Sequence, residues 1–171
     1  LRDVNFFYIL ACRIVRVFKT SRMCILALVY ISFLGSMLIT NDTALLTFLP
    51  LGYYVLSSTG KEKYLPFTFI MQNMAANLGG MLTPFGNPQN LYIYSYFKIP
   101  TSEFCKIMLP SFLLAVSLLV LACLPVKNKK FTITNEFPEK LNVKKTVLYC
   151  ILFFISVLIV FRVIPFWIGL L

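Results

Sequence analysis

The chain alternates long apolar runs with short polar segments. The first complete run covers residues 23–39, and a second run at 44–56 follows it across the polar residues 40–43. Further runs cover 65–82 and 104–126. As a helix, the last of these is roughly 34 Å long, enough to cross a bilayer core of about 30 Å. The pattern predicts an all-α integral membrane protein built as a helical bundle.

Composition supports the bilayer as the solvent of this chain. Hydrophobic residues make up 59% and charged residues 13%, against roughly 45–50% and 25% in soluble domains. The net charge of +10 comes from clusters between the apolar runs, as the positive-inside rule describes. We therefore expect a multi-pass protein of the plasma membrane and no nucleic-acid partner. The five cysteines show no metal-ligand spacing and histidine is absent, so neither a catalytic centre nor a cofactor is predicted.

Two basic segments set the predicted topology. Residues 13–22 carry four positive charges and no acid, and residues 127–146 carry six lysines against two glutamates. Both should be cytoplasmic, so an even number of crossings separates them. If 65–97 is one interrupted span and 104–126 a second, then 23–56 must enter and leave on the same side.

The segment 23–56 is expected to be a re-entrant hairpin with its tip at residues 40–43. Its two arms have 17 and 13 uncharged residues, which is short for full spans of about 20. Two short full spans fit the charge pattern equally well. Outside this region, residues 4–18 are expected to end one further span, and another is expected to begin near Thr146.

Asp42 is the one acidic residue inside an apolar stretch. An aspartate at membrane depth costs roughly 2.5–3.5 kcal/mol on insertion scales and usually marks an ion or proton pathway. Thr40, Asn41 and Thr43 beside it add the oxygen atoms that hard cations require. We therefore predict a site for Na⁺ or H⁺ at this tip. The alternative is a short polar turn at the headgroups, in which Asp42 is merely solvated.

The stretch 83–90, TPFGNPQN, cannot continue a helix, because it holds two prolines and a glycine. Unwound backbone at membrane depth is tolerated where it is buried in protein or lines a watery cavity. Its freed carbonyl groups suit Na⁺ and its freed N–H groups suit an anion. The alternative is an ordinary loop outside the membrane. It fails to explain residues 91–97, which are too few to cross alone.

Asn73, Asn77 and Gly80 precede the interruption at helical spacing and form one polar stripe. Packing of small residues between helices explains the stripe as a whole. Asn77 is nevertheless close enough along the chain to reach the interruption.

Both polar stretches resemble signatures of the citrate-transporter-like families of the ion transporter superfamily. These include divalent-anion/sodium symporters, arsenite permeases and certain Na⁺/H⁺ antiporters. TNDTALLTFLP is similar to the first signature, and NMAANLGGMLTPFGNPQNLYI is similar to the Asn-x-Gly-Gly…Thr-Pro-x-Gly-x-Pro-x-Asn stretch. The resemblance implies inverted repeats, each with a re-entrant hairpin and a broken helix. Residues 1–171 would then be most of the first repeat, truncated at both ends.

The resemblance also implies that hairpin tip and interruption together bind a cation and the substrate. The symporters carry a threonine where this chain has Asp42. A carboxylate there should repel a dicarboxylate unless it is protonated or holds a cation, so the match favours arsenite permeases and related antiporters. The candidate ligands of Na⁺ or H⁺ are Thr40, Asn41, Asp42, Thr43, Gly86 and Asn87. The candidate substrate ligands are Asn41, Asn77, Thr83, Gly86, Asn87, Pro88, Gln89 and Asn90.

The predicted function is secondary active transport of a small inorganic or carboxylate anion, coupled to Na⁺ or H⁺, with a homodimer as the candidate assembly. A Na⁺/H⁺ antiporter without an anion substrate is the alternative within transport. An intramembrane enzyme and a membrane scaffold subunit are the alternatives of another class. The first lacks a pair of catalytic side chains, and the second does not need an unwound, asparagine-rich segment at membrane depth.

Overall fold

The computed structural model describes residues 13–15, 17–130 and 151. Within this part of the chain every regular element is helical, apart from one isolated β-bridge. The α-helices are α1 (Ser21–Leu38), α2 (Asn41–Ser58), α3 (Leu65–Gly79), α4 (Pro88–Tyr96) and α5 (Thr101–Cys123), with a short 3₁₀ turn at Glu62–Tyr64. The predicted all-α architecture is confirmed. The expected spans in 4–18 and beyond Thr146 lie almost wholly outside the described residues.

Helices α1 and α2 form the predicted hairpin, but its arms differ from the prediction. Each arm has 18 residues, or about 27 Å. The second arm is longer than expected because Thr40 acts as N-cap and its hydroxyl accepts a 3.5 Å bond from the Thr43 N–H. The polar tip thus becomes the first turn of α2. Arms of this length fit both a re-entrant hairpin and two short spans, so re-entrance stays a prediction.

The predicted interruption of the third apolar segment is present, as the gap between α3 and α4. It covers residues 80–87, three residues earlier than the expected 83–90. The first half-helix ends at the glycine pair Gly79 and Gly80, and the second begins with Pro88 in its first turn. Proline suits that position because its fixed φ is helical and its missing N–H would have no partner there.

Among the described residues, two helices are long and apolar enough to cross a membrane, α1 and α5. Helix α5 has 23 residues, as expected, but begins at Thr101 rather than at 104. Pro100 fixes its start, and it ends before Pro125, since a residue that precedes proline is disfavoured in a helix.

The described parts of the two basic segments meet at one end of the bundle. Ser21 donates its N–H (2.8 Å) and its hydroxyl (2.9 Å) to the Lys129 carbonyl. Arg22 Nε donates to the Val126 carbonyl at 3.0 Å, and Thr20 forms a bridge with Lys130. These described parts therefore lie at the same end of the bundle, as the charge pattern predicts.

The apolar core lies between α1, α2 and α3, with α5 against its side. Helix α5 turns most of its surface outward, where lipid would cover its leucines. Fully or almost fully buried core members are Cys24, Ile25, Leu28, Val29, Phe33, Leu51, Val55, Leu56, Met71, Ala75, Ala115 and Leu119.

Candidate functional site

The hairpin tip touches the interruption of the broken helix. The Asn41 N–H, in the first turn of α2, donates to the Gly86 carbonyl at 3.0 Å. The Asn41 side chain donates from Nδ2 to Asn77 Oδ1, near the end of α3, at 2.9 Å. The two elements that the sequence predicts to share a site are thus joined by one backbone and one side-chain hydrogen bond. We call this contact region the junction.

Side-chain amides form a continuous network across the junction. Asn77 Nδ2 donates to the Asn73 carbonyl at 2.9 Å and lies 3.3 Å from Asn73 Oδ1. Asn87 Nδ2 donates to the Asn77 carbonyl at 3.3 Å. The network therefore links α2, α3 and the start of α4 through uncharged groups.

Two oxygens of this network have no hydrogen-bond donor among the described residues. They are Asn41 Oδ1 and Asn87 Oδ1, and both atoms are buried. A Cβ placed on Gly80 would lie 2.7 Å from Asn87 Oδ1 and 3.0 Å from the Gly86 carbonyl. Leaving a buried acceptor unsatisfied costs about 1–3 kcal/mol. A hard cation or a bound water would remove that cost at each oxygen.

Thr83 and Asn90 face backbone carbonyl groups. Thr83 Oγ1 donates to the Met37 carbonyl, in the last turn of α1, at 3.1 Å. Asn90 is buried, and its Nδ2 lies 3.0 Å from the Met81 carbonyl and 3.4 Å from those of Gly80 and Thr83. These side chains satisfy carbonyls that the helix ends leave open. In the structure these two side chains hold the interruption in shape, and their predicted role as substrate ligands stays a prediction.

We expect Asn90→Leu to lower the free energy of unfolding by about 2 kcal/mol or more, because leucine keeps the volume and removes the donor that several buried carbonyls share. Thermal unfolding of the full-length protein in detergent measures the change. Asn128→Leu is the matched control, since Asn128 is exposed and follows the C-terminal end of α5. Equal unfolding midpoints for the two variants would contradict this role of Asn90.

The remaining predicted ligands are exposed on the surface of the described residues. Asp42 lies in the first turn of α2, where the helix dipole favours a negative charge. Its carboxylate forms no hydrogen bond or ion pair with another described residue. Thr40 and Thr43 are exposed and share a 2.8 Å bond between their hydroxyls. Pro88 and Gln89 are exposed at the start of α4. The structure thus brings Asn41, Asn77, Gly86 and Asn87 together and places Asp42 and Gln89 beside them in sequence.

The polar stripe of α3 divides between two roles. Asn73 and Asn77 are exposed and belong to the amide network, so the helix-packing interpretation does not hold for them. The third member, Gly80, packs against the interruption, since a Cβ there would lie 3.0 Å from the Gly86 carbonyl oxygen. Two glycines outside the stripe are packed still more closely. A Cβ on Gly79 would collide with the Phe33 carbonyl of α1, and one on Gly86 with the Gly80 carbonyl.

Sequence reasoning overlooked Gln72, which is fully buried in α3. Its Nε2 donates to Ser32 Oγ of α1 at 3.1 Å and to the Phe48 carbonyl of α2 at 2.9 Å. The available signal was a glutamine in the middle of an uncharged run, directly before Asn73.

Comparison with known proteins tests the family resemblance of the two sequence signatures. A family model described as "Citrate transporter" matches residues 1–171. The chain belongs to the citrate transporter (CitMHS) family. It is 33% identical over 164 residues to the uncharacterized transporter MJ0456 of Methanocaldococcus jannaschii, covering 93% of this chain and 43% of that protein. It is 31% identical over 138 residues to inner membrane protein YbiR of Escherichia coli, covering 79% and 37%. No solved structure matches the chain with significance.

Membership in the citrate transporter family makes this a membrane protein of a transporter family, as the two signatures predicted. The chain spans less than half the length of the curated relatives that it matches. The family and the relatives point to transport rather than to catalysis.

Proposed function

We propose that the protein is a multi-pass, secondary active transporter of the plasma membrane that moves a small anion together with Na⁺ or H⁺. The observation that carries the proposal is the junction itself. At that point a hairpin tip meets a broken helix, and two buried amide oxygens there lack a donor among the described residues. Inverted-repeat transporters typically build their sites from interrupted helices of this kind.

The junction suits a hard cation. Asn41 Oδ1 and Asn87 Oδ1 are uncharged oxygen ligands, the type that Na⁺ accepts. Thr40 and Thr43 add hydroxyl oxygens at the same tip. Asp42, in the same turn of α2, would supply the negative charge that attracts the cation or exchanges a proton.

The junction also suits an anion, because two helices begin there. The N–H of Asn41, the first residue of α2, bonds to Gly86, and α4 starts two residues later at Pro88. Helix N-termini carry partial positive charge and free N–H groups that attract anions. A cation or proton held by Asp42 would reduce the repulsion between its carboxylate and an anionic substrate.

Na⁺/H⁺ exchange without an anion is the second candidate, favoured by the exposed carboxylate of Asp42 at the hairpin tip. Transport by the full-length protein in proteoliposomes separates the two. Uptake of labelled arsenite, dicarboxylate or sulfate that depends on a Na⁺ or pH gradient supports anion transport. Dissipation of a pH gradient on addition of Na⁺, with no anion uptake, supports exchange. Absence of both activities would contradict secondary transport.

We expect Asn41→Ala and Asn87→Ala each to raise the cation concentration for half-maximal transport by about tenfold, because each removes one oxygen ligand and a tenfold change corresponds to about 1.4 kcal/mol. Uptake measured against a cation titration tests this. Asn128→Ala removes an exposed amide far from the junction and should leave the titration unchanged. Wild-type titrations for both junction variants would remove these oxygens from the cation site.

A further inference from the structure

Gln72 ties three helices together at one level of the bundle. It belongs to α3, and its Nε2 bonds to a side-chain oxygen of α1 and to a backbone carbonyl of α2. Gly52 of α2 makes room for the amide, since a Cβ there would lie 2.6 Å from Gln72 Oε1. That oxygen has no hydrogen-bond donor among the described residues.

The cross-link lies at matching distances from the junction along each helix. Phe48 follows Asn41 by seven residues, and Gln72 precedes Gly79 by seven. Both segments are therefore about 10 Å long. Ser32 precedes the last residue of α1 by six residues, or about 9 Å. The three segments are rigid helices of nearly equal length. Fixing their positions along the bundle axis at Gln72 therefore also fixes their relative positions at the junction.

We propose that Gln72 is the positioning residue that sets the register of the hairpin tip against the interruption of the broken helix. Without it, the hairpin could slide or rotate along α3, since the core shared by these helices is apolar and its packing is non-directional. In a bilayer no water replaces the lost partners, so the amide holds both acceptors. The consequence is a fixed approach of Asn41 to Asn77 and Gly86.

This inference rests on the proposed function only where it concerns ion affinity, and its first test does not need transport. Thr83 bonds to the backbone carbonyl of Met37, so replacing the Met37 side chain leaves that bond in place. In a full-length variant lacking native cysteines, one new cysteine is therefore placed at this position (Met37→Cys) and the other next to Thr83 (Leu82→Cys). Oxidative cross-linking of this pair reports how closely the tip approaches the interruption. We expect Gln72→Leu to slow cross-linking about tenfold and Ser32→Ala, which removes one of two acceptors, to slow it less.

Thr68→Val is the matched control. Thr68 is fully buried one turn before Gln72 on α3, and its hydroxyl has no partner among the described residues. It should cross-link at the wild-type rate. A normal cross-linking rate for Gln72→Leu would overturn the proposal and leave Gln72 a packing residue. If Gln72→Leu fails to fold, Ser32→Ala and Gly52→Ala, which displaces the amide, are tested in its place. Normal cross-linking rates for both variants would overturn the proposal.

The second test uses the cation titration of transport. We expect Gln72→Leu to raise the half-saturating cation concentration about tenfold while the maximal rate falls less, because the ligands remain but their spacing changes. A loss of stability alone would reduce the amount of active protein and leave the half-saturating concentration unchanged. If wild-type protein transports no ion, the proposed function fails, and the cross-linking result still decides the role of Gln72.

Discussion

Replacing Asp42 with asparagine is expected to abolish transport by the full-length protein or to uncouple it from the cation gradient. The substitution keeps the size and the hydrogen-bonding capacity of the side chain and removes its charge. Asp42 is the acid at the hairpin tip and lies one residue from Asn41, whose Oδ1 lacks a donor among the described residues. If Asp42 binds and releases the coupling cation, the asparagine variant has no charge that a proton or Na⁺ can neutralise. Flux should then fall to the level of empty vesicles, or persist without dependence on the gradient.

The matched control for Asp42→Asn is Glu103→Gln. Glu103 is also an exposed acid in the first turn of a helix, at the start of α5. The Glu103→Gln variant should retain gradient-driven uptake, because the charge that it removes lies outside the amide network. Asp42→Glu, which keeps the charge on a longer side chain, should retain part of the coupling. Wild-type flux and wild-type coupling in Asp42→Asn would refute the role given to this carboxylate.

The same pair of variants separates the two transport candidates. An anion symporter that loses Asp42 loses the neutralising cation, so anion uptake should no longer respond to Na⁺ or pH. An exchanger without an anion substrate should lose Na⁺-driven dissipation of the pH gradient, with no anion uptake before or after the substitution. Anion uptake and Na⁺-driven dissipation of the pH gradient, measured before and after Asp42→Asn, therefore give distinct results for the two mechanisms.

The sequence was sufficient to predict the hairpin and the interruption, because each rests on residues with strong local effects. Two prolines and a glycine within eight residues end a helix, although single prolines lie inside α2 (Pro50) and α5 (Pro110). A polar tip between two apolar runs favours a turn. The exact bounds were not predictable in this way. The polar residues at 41–43 read as a turn, yet a single threonine cap makes them the first turn of a helix.

Contacts between distant side chains were less accessible to sequence reasoning. The bond from Asn41 to Asn77 joins residues 36 positions apart, and it depends on how the hairpin packs against α3. Asn90 was predicted as a ligand from its place in a motif, which stays a prediction, and the structure shows its Nδ2 donating to a backbone carbonyl. Motif membership indicates that a residue matters, but only the fold shows which atoms it contacts.

Gly79→Ala is expected to be strongly destabilising, because the added methyl group has no room between α3 and α1. A Cβ at this position would overlap the carbonyl carbon and oxygen of Phe33, and it would lie 2.6 Å from Ser36 Oγ. Backbone atoms of a packed helix cannot rotate away, so α3 must move from α1 as a unit. Overpacking of a core typically costs about 1–3 kcal/mol, and we expect the upper end of that range.

Gly35→Ala gives the comparison that identifies the cause. Its added methyl would meet the ring of Phe48 rather than backbone, and a ring can rotate to reduce the overlap. Thermal unfolding in detergent should therefore show a smaller loss for Gly35→Ala than for Gly79→Ala. Displacement of α3 would also draw Asn77 away from Asn41, because both Asn77 and Gly79 lie in the last turn of that helix. Gly79→Ala should thus weaken cation-dependent transport at temperatures where the protein is still folded. Equal stability of the two alanine variants would contradict this explanation. It would mean that Gly79 of α3 lies farther from the Phe33 backbone of α1 than in this structure.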